Sequence, residues 1–300
     1  MGKGNLFLGH GRGKMGNMVF TRQSGKQVFK TLNDQPHNPR SNSQQGQRSK
    51  FANANKFYSR GIQNLFKFAY DDKKIGETDF NAFMRHNIKS SIHISKECFN
   101  SVSYPAVGKW LMSRGPLNPV KMGQQKYTLT IDIATKTGST EKTWGQWCID
   151  FMEGTNYKNG DYLTLVKIEA AWDYDTGNVP STIPLENQDP TRWTIEQVKL
   201  DTSSTALAKD ILFKEVMKLD LDSGFPGFNF EDSTINGACA IVSRNTPKGV
   251  IASTSRVRVS DNVETALERA NTNEYIEECI ASWGGIDPAI LQGQIVDFTY

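Results

Sequence analysis

The chain has 300 residues, 37% of them hydrophobic, and a formal net charge of +3. This amount of apolar material can form the core of one large or two ordinary domains, which excludes an intrinsically disordered chain. No run reaches the roughly 18 consecutive apolar residues that span a membrane, and the first residues lack the apolar segment of a signal peptide. We therefore expect a protein that is made and kept in a cytoplasm and has no membrane span.

The small net charge conceals two halves of opposite sign. Residues 1–126 hold 21 Lys and Arg against 6 Asp and Glu, whereas residues 127–300 hold 14 against 26. Basic and acidic faces of identical subunits can pair head to tail, and heterologous contacts of this kind close into rings. Alternatively, the basic half binds the phosphate backbone of a nucleic acid. Charge alone does not separate these two explanations.

The first predicted element is a β-hairpin arm. Residues 18–22 and 27–31 have the pattern of two short strands, and residues 23–26 form the turn between them. A two-stranded ribbon buries too little apolar area to be stable alone, so it must dock on the body or on a neighbouring chain. Residues 32–43 are polar and contain Pro36 and Pro39, which predicts an extended connector. We assign the arm and its connector to residues 1–40.

Residues 41–120 form a predicted helical region. Apolar residues spaced three and four apart predict one helix of about seven turns from about residue 43 to residue 69. Its apolar stripe consists of Phe51, Ala54, Phe57, Tyr58, Ile62, Leu65, Phe66 and Ala69. Thr78 caps a second predicted helix over residues 79–90. Residues 95–99 add a helical turn, and residues 108–117 predict a strand.

Residues 121–260 have the texture of an antiparallel β domain. Period-two alternation over residues 127–133 and 161–172 predicts two strands. Further predicted strands are Trp144–Phe151, Thr194–Leu200, Ala238–Ser243 and Ser253–Val259, of which the last two face each other. Residues 177–192 predict a surface loop, and residues 205–219 have partly helical spacing. The body is therefore predicted to be an antiparallel β-sandwich or an open barrel.

The last predicted segment covers residues 261–300. Asp261 to Glu264 resembles a capping box, and the apolar stripe that follows predicts helices ending near Gly284. The apolar residues of the tail indicate a docked terminus. The predicted fold class is thus α+β, with a hairpin arm and helices at the amino terminus, a β body and helices at the carboxyl terminus.

Four cysteines and four histidines are the first candidates for chemistry. They are Cys98, Cys148, Cys239, Cys279, His10, His37, His86 and His93. The cysteines form no Cys-x-x-Cys pair, so we expect small buried thiols. The histidines show neither metal-ligand spacing nor the Asp or Ser pattern of a catalytic triad.

Three glycine-containing motifs match known ligand loops only in part. Residues 173–177 and 220–224 both have the form Asp-x-Asp-x-Gly, but neither continues with the remaining oxygen ligands of a calcium loop. Residues 9–14 are glycine-rich, but they precede a hairpin and not a helix that could receive a phosphate. We therefore predict a protein that is not an enzyme, with no cofactor and no catalytic or metal site.

Several motifs in residues 11–120 occur in a characteristic order. They are Gly13-Lys14-Met15-Gly16-Asn17-Met18-Val19-Phe20, Asn38-Pro39-Arg40, Gln44-x-x-Gln47-Arg48-x-Lys50-Phe51-Ala52, Phe80-Asn81-Ala82, Asn87-Ile88-Lys89 and Leu111-x-Ser113-Arg114-Gly115-Pro116-Leu117. Together with a weaker echo at residues 253–259, they resemble an uncharacterised family encoded by gut Bacteroidetes and their phages. The resemblance implies no activity and no site residues. By analogy, the length and the acidic second half look like those of a virion component of a crAss-like phage, such as a tail ring protein.

The leading hypothesis is a bacteriophage virion structural protein that forms a homo-oligomeric ring in the tail or neck. It would assemble in the host bacterial cytoplasm, and its partners would be copies of itself and other virion proteins, such as portal, tail or neck components. The candidates for the subunit interface lie in the arm and the tail: Met18, Phe20, Arg22, Val28, Phe29, Lys30, Phe298 and Tyr300.

The alternative hypothesis is a nucleic-acid-binding protein that uses the basic amino-terminal half. Residues 1–60 hold 11 Lys and Arg against one acidic residue. Phe20, Phe29 and Phe51 lie between these cations and could stack on bases. Strand alternation, however, separates Phe20 and Arg22 from Val19 and Thr21, so the arm is not predicted to have a purely basic face.

Overall fold

The computed structural model contains helices and antiparallel sheets, which confirms the predicted α+β class. It describes residues 13–23, 26–32, 40–59, 63, 65–100, 108–125, 128–131, 142–169, 192–212, 227–229, 235–259, 264 and 267–284. The helices are α1 (Asn42–Ser59), α2 (Asp79–Asn87), α3 (Lys96–Asn100), α4 (Trp144–Met152), α5 (Ala208–Leu212) and α6 (Asn273–Ser282). Among the residues described here, the structure has no helix that could span a lipid bilayer.

Thirteen strands make up the four sheets of the described residues. They are β1 (Gly13–Met15), β2 (Met18–Gln23), β3 (Lys26–Thr31), β4 (Leu111–Ser113), β5 (Met122–Gln125), β6 (Thr128–Ile131), β7 (Tyr162–Glu169), β8 (Arg192–Lys199), β9 (Gly227–Asn229), β10 (Ile235–Thr246), β11 (Gly249–Ala252), β12 (Ser255–Arg256) and β13 (Arg258–Val259). The arm sheet has the order β1-β2-β3, and a small sheet has the order β5-β6-β9. Strand β12 pairs with β4.

The body is organised around one open sheet with the strand order β11-β10-β7-β8, in which β13 also pairs with β10. Successive residues of β7 belong to different apolar clusters, because strand side chains alternate between the two faces of a sheet. Val166 and Ile168 join a cluster with α1, α2 and β4. Leu163 and Leu165 join a second cluster, which is formed mainly with α4, α5 and the region of the small sheet. The described strands form an open sheet and no closed barrel.

The predicted strand Trp144–Phe151 is wrong, because these residues form helix α4. Thr143 and Gln146 make a reciprocal capping box, in which each side chain accepts a hydrogen bond from the backbone N–H of the other at 3.3 Å. Trp144, Trp147 and Phe151 stack along one side of the helix, with successive ring centroids 4.8 Å apart. Their spacing of three and four residues is helical, and it buries all three rings.

Gly145 lies in the first turn of α4 for a packing reason. A Cβ built at this position would lie 2.5 Å from the carbonyl oxygen of Thr202, well inside contact distance. The Gly145 N–H also donates to the carbonyl of Ser204 at 3.1 Å. The glycine therefore allows the 202–204 backbone to approach the helix.

Helix α1 is shorter than predicted and buries only part of the predicted stripe, since Ala54 and Phe57 are buried but Phe51 is not. It ends at Ser59 and is followed by a separate 3₁₀ turn, Leu65–Phe68, so the single seven-turn helix is wrong. Its buried face includes small and polar residues, such as Ser49, whose hydroxyl donates to the Ile94 carbonyl and accepts from the Ile94 N–H, both at 2.7 Å. Phe51 lies two residues further on, about 200° around the helix, and is 47% exposed instead of buried in the predicted stripe.

The predicted Thr78 cap of α2 is present, because the Thr78 hydroxyl accepts a hydrogen bond from the Asn81 N–H at 3.2 Å.

Other predicted elements differ in their pairing. Strand β10 forms a hairpin with β11, whereas residues 253–259 divide between β12 and β13. Helix α6 is capped by Thr272, whose hydroxyl accepts from the Tyr275 N–H at 3.4 Å.

Several sequence predictions concern residues outside the described ranges. These are the glycine-rich residues 9–12, His10, His37, most of the connector, residues 177–191 of the predicted loop, both Asp-x-Asp-x-Gly motifs, the Asp261 cap and the tail at 290–300.

A buried ion pair ties the end of β10 to the turn before β7. Asp161 is 2% exposed and accepts two hydrogen bonds from the Arg244 guanidinium, both at 2.7 Å. Arg244 Nη2 also donates to the carbonyl of Asn156 at 2.8 Å. The pKa of Arg244 is raised, chiefly because the Asp161 carboxylate accepts its hydrogen bonds. One end of the sheet's central strand pair, β7 with β10, is therefore held by a bidentate contact.

We expect Arg244→Met to lower the free energy of unfolding by about 3 kcal/mol, because it leaves the Asp161 carboxylate buried without its cation. The double variant Asp161→Asn/Arg244→Met should recover part of this loss, since it removes the buried charge as well. Chemical denaturation measures both values, with Arg258→Met on the exposed Arg258 as the control. A loss no larger than that of the control would contradict the assigned role of the ion pair.

Candidate assembly interface

The arm contains the predicted hairpin, formed by β2 and β3, and a third antiparallel strand, β1, that was not predicted. Strand β1 pairs with β2 through a two-residue turn, in which Gly16 has a φ of 56°. The Leu32 N–H donates to the Asn17 carbonyl at 2.7 Å and extends the pairing of β2 with β3 by one hydrogen bond. The sequence analysis missed β1 because three residues are too few for a periodic signal. The Gly16-Asn17 dipeptide between Met15 and Met18 was the local sign of a turn.

One face of the arm carries three large apolar side chains that are about half exposed. Residues directly opposite each other in an antiparallel pair share a face, and the register places Met15 opposite Met18, and Phe20 opposite Phe29. Met15 is 54% exposed, Met18 46% and Phe29 59%, whereas Phe20 is only 4% exposed. The Phe20 and Phe29 rings meet edge to face with centroids 5.3 Å apart. This arm face, defined as Met15, Met18, Phe20 and Phe29, presents three large apolar side chains to solvent.

The opposite face of the arm combines lysines with β-branched residues. Lys14 and Lys30 lie on either side of Val19, and both lysines are exposed. Thr21 pairs with Val28 on this same face. Two basic residues of the arm, Lys14 and Lys30, therefore flank β-branched residues on this face, and the largest apolar side chains of the arm lie on the other face.

The structure groups only some of the predicted interface residues. Met18 and Phe29 lie exposed on the arm face, while Phe20 is buried and meets the Phe29 ring edge to face. Val28 and Lys30 lie on the opposite face. Arg22 is in β2, opposite Gln27. Phe298 and Tyr300 lie outside the described residues.

Among the described residues, neither apolar cluster of the body includes a residue of the arm. The first cluster begins at Ala52 and the second at Leu117. The arm sheet therefore takes no part in the described cores. Because a small isolated sheet is marginally stable, the exposed apolar arm face is the natural place for a stabilising contact.

His86 belongs to an ion-pair network that the sequence analysis missed. Its Nε2 lies 3.0 Å from an Asp72 carboxylate oxygen, and its ring stacks on Tyr70 with centroids 5.3 Å apart. Arg85 donates to the same carboxylate at 3.3 Å and to Glu77 at 2.9 Å. The sequence separation of 14 residues between Asp72 and His86 gives no local motif. The contacts anchor the loop over residues 70–77 to α2.

The carboxylates of this network are held in their ionised form. Hydrogen bonds from the Arg85 guanidinium, followed by one from the Lys74 N–H, lower the pKa of Glu77 to about 2. Burial alone would raise the pKa of Asp72, but hydrogen bonds from Arg85 and His86 outweigh it and lower the pKa.

The four cysteines are buried and free, as predicted from their spacing. Burial raises the pKa of Cys148 and that of Cys239 to about 12 in each case, so both thiols stay protonated at neutral pH. Within the described residues, no three His, Cys, Asp or Glu side chains converge as a metal site.

Comparison with known proteins gives one match. Residues 10–143 match a family of unknown function, DUF6266. This region spans the arm, helices α1 to α3 and strands β4 to β6, and it includes most of the motifs on which the resemblance described above depends. No curated protein and no solved structure matches the chain.

We expect Glu77→Gln to lower the melting temperature at neutral pH, because the loop loses its charge-assisted bonds to Arg85. A carboxylate whose folded pKa is depressed stabilises the protein above its unfolded pKa of 4.5, and the effect is lost as the pH falls to about 2. The difference in melting temperature between wild type and variant should therefore shrink over this range. Thermal melts at several pH values measure it, and Glu268→Gln on an exposed side chain is the control. A difference that does not change with pH would contradict the argument.

Proposed function

We propose that this chain is a non-enzymatic structural protein that assembles with copies of itself through the arm. The observation that carries the proposal is the exposed apolar arm face, with Met15, Met18 and Phe29 each about half exposed. Large apolar side chains grouped on one face of a small sheet are typical of surfaces that another protein covers. The arm of one subunit would contact the next subunit, which would contact a third in the same way.

The size of the arm face limits what it can contribute. Full burial of a large apolar side chain is worth about 1.5–3 kcal/mol, so three half-exposed side chains supply about 3–4 kcal/mol. A micromolar dissociation constant requires about 8 kcal/mol. The arm face is therefore an anchor within a larger interface, and pairing of strand edges or of charges must supply the rest.

The charge distribution supplies a second contribution to the free energy of association between subunits. Lys14 and Lys30 are exposed on the arm. Glu274, Glu277 and Glu278 are exposed on α6, within the acidic half of the sequence. Opposite charges on different parts of one chain favour head-to-tail contacts and disfavour symmetric pairing of like surfaces. Contacts of this kind can repeat head to tail around a ring.

The virion assignment within this proposal is a component of the tail or neck of a crAss-like bacteriophage. It is supported by the resemblance in residues 11–120 and by the fit of a ring-forming structural protein to such an assembly. Neighbouring portal, tail or neck proteins would be its other partners, and the host bacterial cytoplasm would be its place of assembly. A non-enzymatic role is supported by the structural engagement of His86 with Asp72 and by the burial of all four thiols.

We expect Met18→Ser/Phe29→Ser to lower the oligomer mass measured by size-exclusion chromatography with light scattering. The two substitutions remove apolar area from the arm face without touching either core cluster. The matched control is Ile75→Ser/Ile149→Ser, which removes two exposed isoleucines that lie away from the arm. The control should keep the wild-type mass.

Deleting residues 1–40 removes the whole arm and is a stronger test of its role in assembly. The body should stay folded, because both described core clusters are made of residues beyond the arm. It should elute as a monomer. A truncated chain that keeps the full-length oligomer mass would show that the arm does not hold the assembly together.

A further inference from the structure

A second surface lies on the outer side of α1 and has a different chemistry from the arm. It is an open groove with a volume of about 740 Å³, within the range of about 300–1,000 Å³ that is typical of ligand sites. Its lining residues are Gln44, Gln47, Arg48, Lys50, Phe51, Ala52, Asn55, Ile88, Phe99 and Trp283. We call this surface the α1 groove.

The groove follows one stripe of α1. Gln44, Gln47, Phe51 and Asn55 recur at spacings of three and four residues, so they share one side of the helix. The opposite side is fixed by the small polar contacts to residues 91–94. Because that inner side packs closely, the outer side presents Phe51 and three side-chain amides to solvent.

Three aromatic side chains line the groove. Phe51 is 47% exposed. Phe99 and Trp283 contact each other with ring centroids 5.6 Å apart, and both are partly exposed. The indole N–H of Trp283 donates to the Ile94 carbonyl at 2.8 Å, which fixes the orientation of the ring. The three rings thus offer flat apolar surfaces held by the helices around them.

The charge of the groove is entirely positive. Its lining includes Arg48 and Lys50 and no Asp or Glu. Two more cations lie at its border. Lys56 Nζ is 5.6 Å from the centre of the Phe99 ring, and a Cβ built on Gly284, next to Trp283, would lie 3.9 Å from Arg40 Nη1.

We propose that the α1 groove binds single-stranded nucleic acid. Its cations match the phosphate backbone, its aromatic faces match unstacked bases, and its amides match the hydrogen-bonding edges of bases. An apolar peptide would leave Arg48 and Lys50 without a counter-charge. The arm of a second copy is also less suitable, because it carries Lys14 and Lys30. The proposal goes beyond the assembly function and uses residues that do not belong to the arm face.

The test measures binding of the full-length protein to labelled oligothymidylate of about 12 nucleotides by fluorescence anisotropy. Phe51→Leu keeps an apolar side chain but removes the flat ring, so affinity should fall about tenfold, the effect of one base–aromatic stack. Arg48→Gln/Lys50→Gln should weaken binding and reduce the slope of log affinity against log salt by about 1.4, the value for two lost phosphate contacts on a single strand.

The matched control is Lys67→Gln/Lys121→Gln, which removes two exposed lysines of the basic half that do not line the groove. It should keep most of the wild-type affinity. Thermal melts of every variant show whether the fold is intact. An oligouridylate probe separates RNA from DNA, and tighter binding of either one supports the proposal.

Three results would overturn it. If polyphosphate of equal charge binds as tightly as the oligonucleotide, the groove attracts anions without recognising bases. If Phe51→Leu binds like wild type, the aromatic faces are not used. If the groove variants lose oligomer mass while the wild type binds no oligonucleotide even at low salt, the groove is a protein contact. Because the assembly test measures mass and this test measures oligonucleotide affinity, one proposal can fail without the other.

Discussion

The fold depends on one constraint: the central strands β7 and β10 are apolar on both faces. Val166 and Cys239 are cross-strand neighbours in the first cluster, and Leu165 and Ala240 are cross-strand neighbours in the second. A sheet that is apolar on both faces must be covered on both faces to be stable in water. The amino-terminal helices cover one face and α4 covers the other. This explains why distant parts of the sequence converge on a single body.

The same constraint leaves the arm outside the described cores. Once both faces of the sheet are covered by helices, the arm strands contribute nothing to either cluster, and their apolar face stays about half exposed. The arm does not lack apolar residues, because Met15, Met18 and Phe29 are as large as many core side chains. Their grouping on one face costs solubility in the isolated chain, which is why we attribute to them a role in association.

The sequence was sufficient for the α+β class, for several of the body's strands and for the cap of α2, because each leaves a local or periodic signal. It was insufficient where long-range packing overrides that signal. Trp144 and Trp147 favour a strand by residue type, but their helical spacing and the Thr143–Gln146 capping box are local signals that the strand prediction overlooked; only the close backbone approach at Gly145 is a long-range contact. Phe51 fits a core stripe by spacing, yet Ser49 on the opposite side takes the buried position. The contact between Asp72 and His86 joins separate segments and has no local motif.

The basic charge of the first half is divided between two surfaces of different character. Lys14 and Lys30 flank β-branched residues on the arm, whereas Arg48 and Lys50 lie beside aromatic rings in the α1 groove. Charges on exposed surfaces interact appreciably only within about 8–10 Å at physiological salt, so their immediate neighbours decide what they bind. Lysines on the back of an apolar sheet suit a protein partner with acidic helices. Cations between aromatic rings suit a phosphate chain that carries bases. The two explanations of the charge asymmetry are therefore compatible, because each applies to its own set of residues.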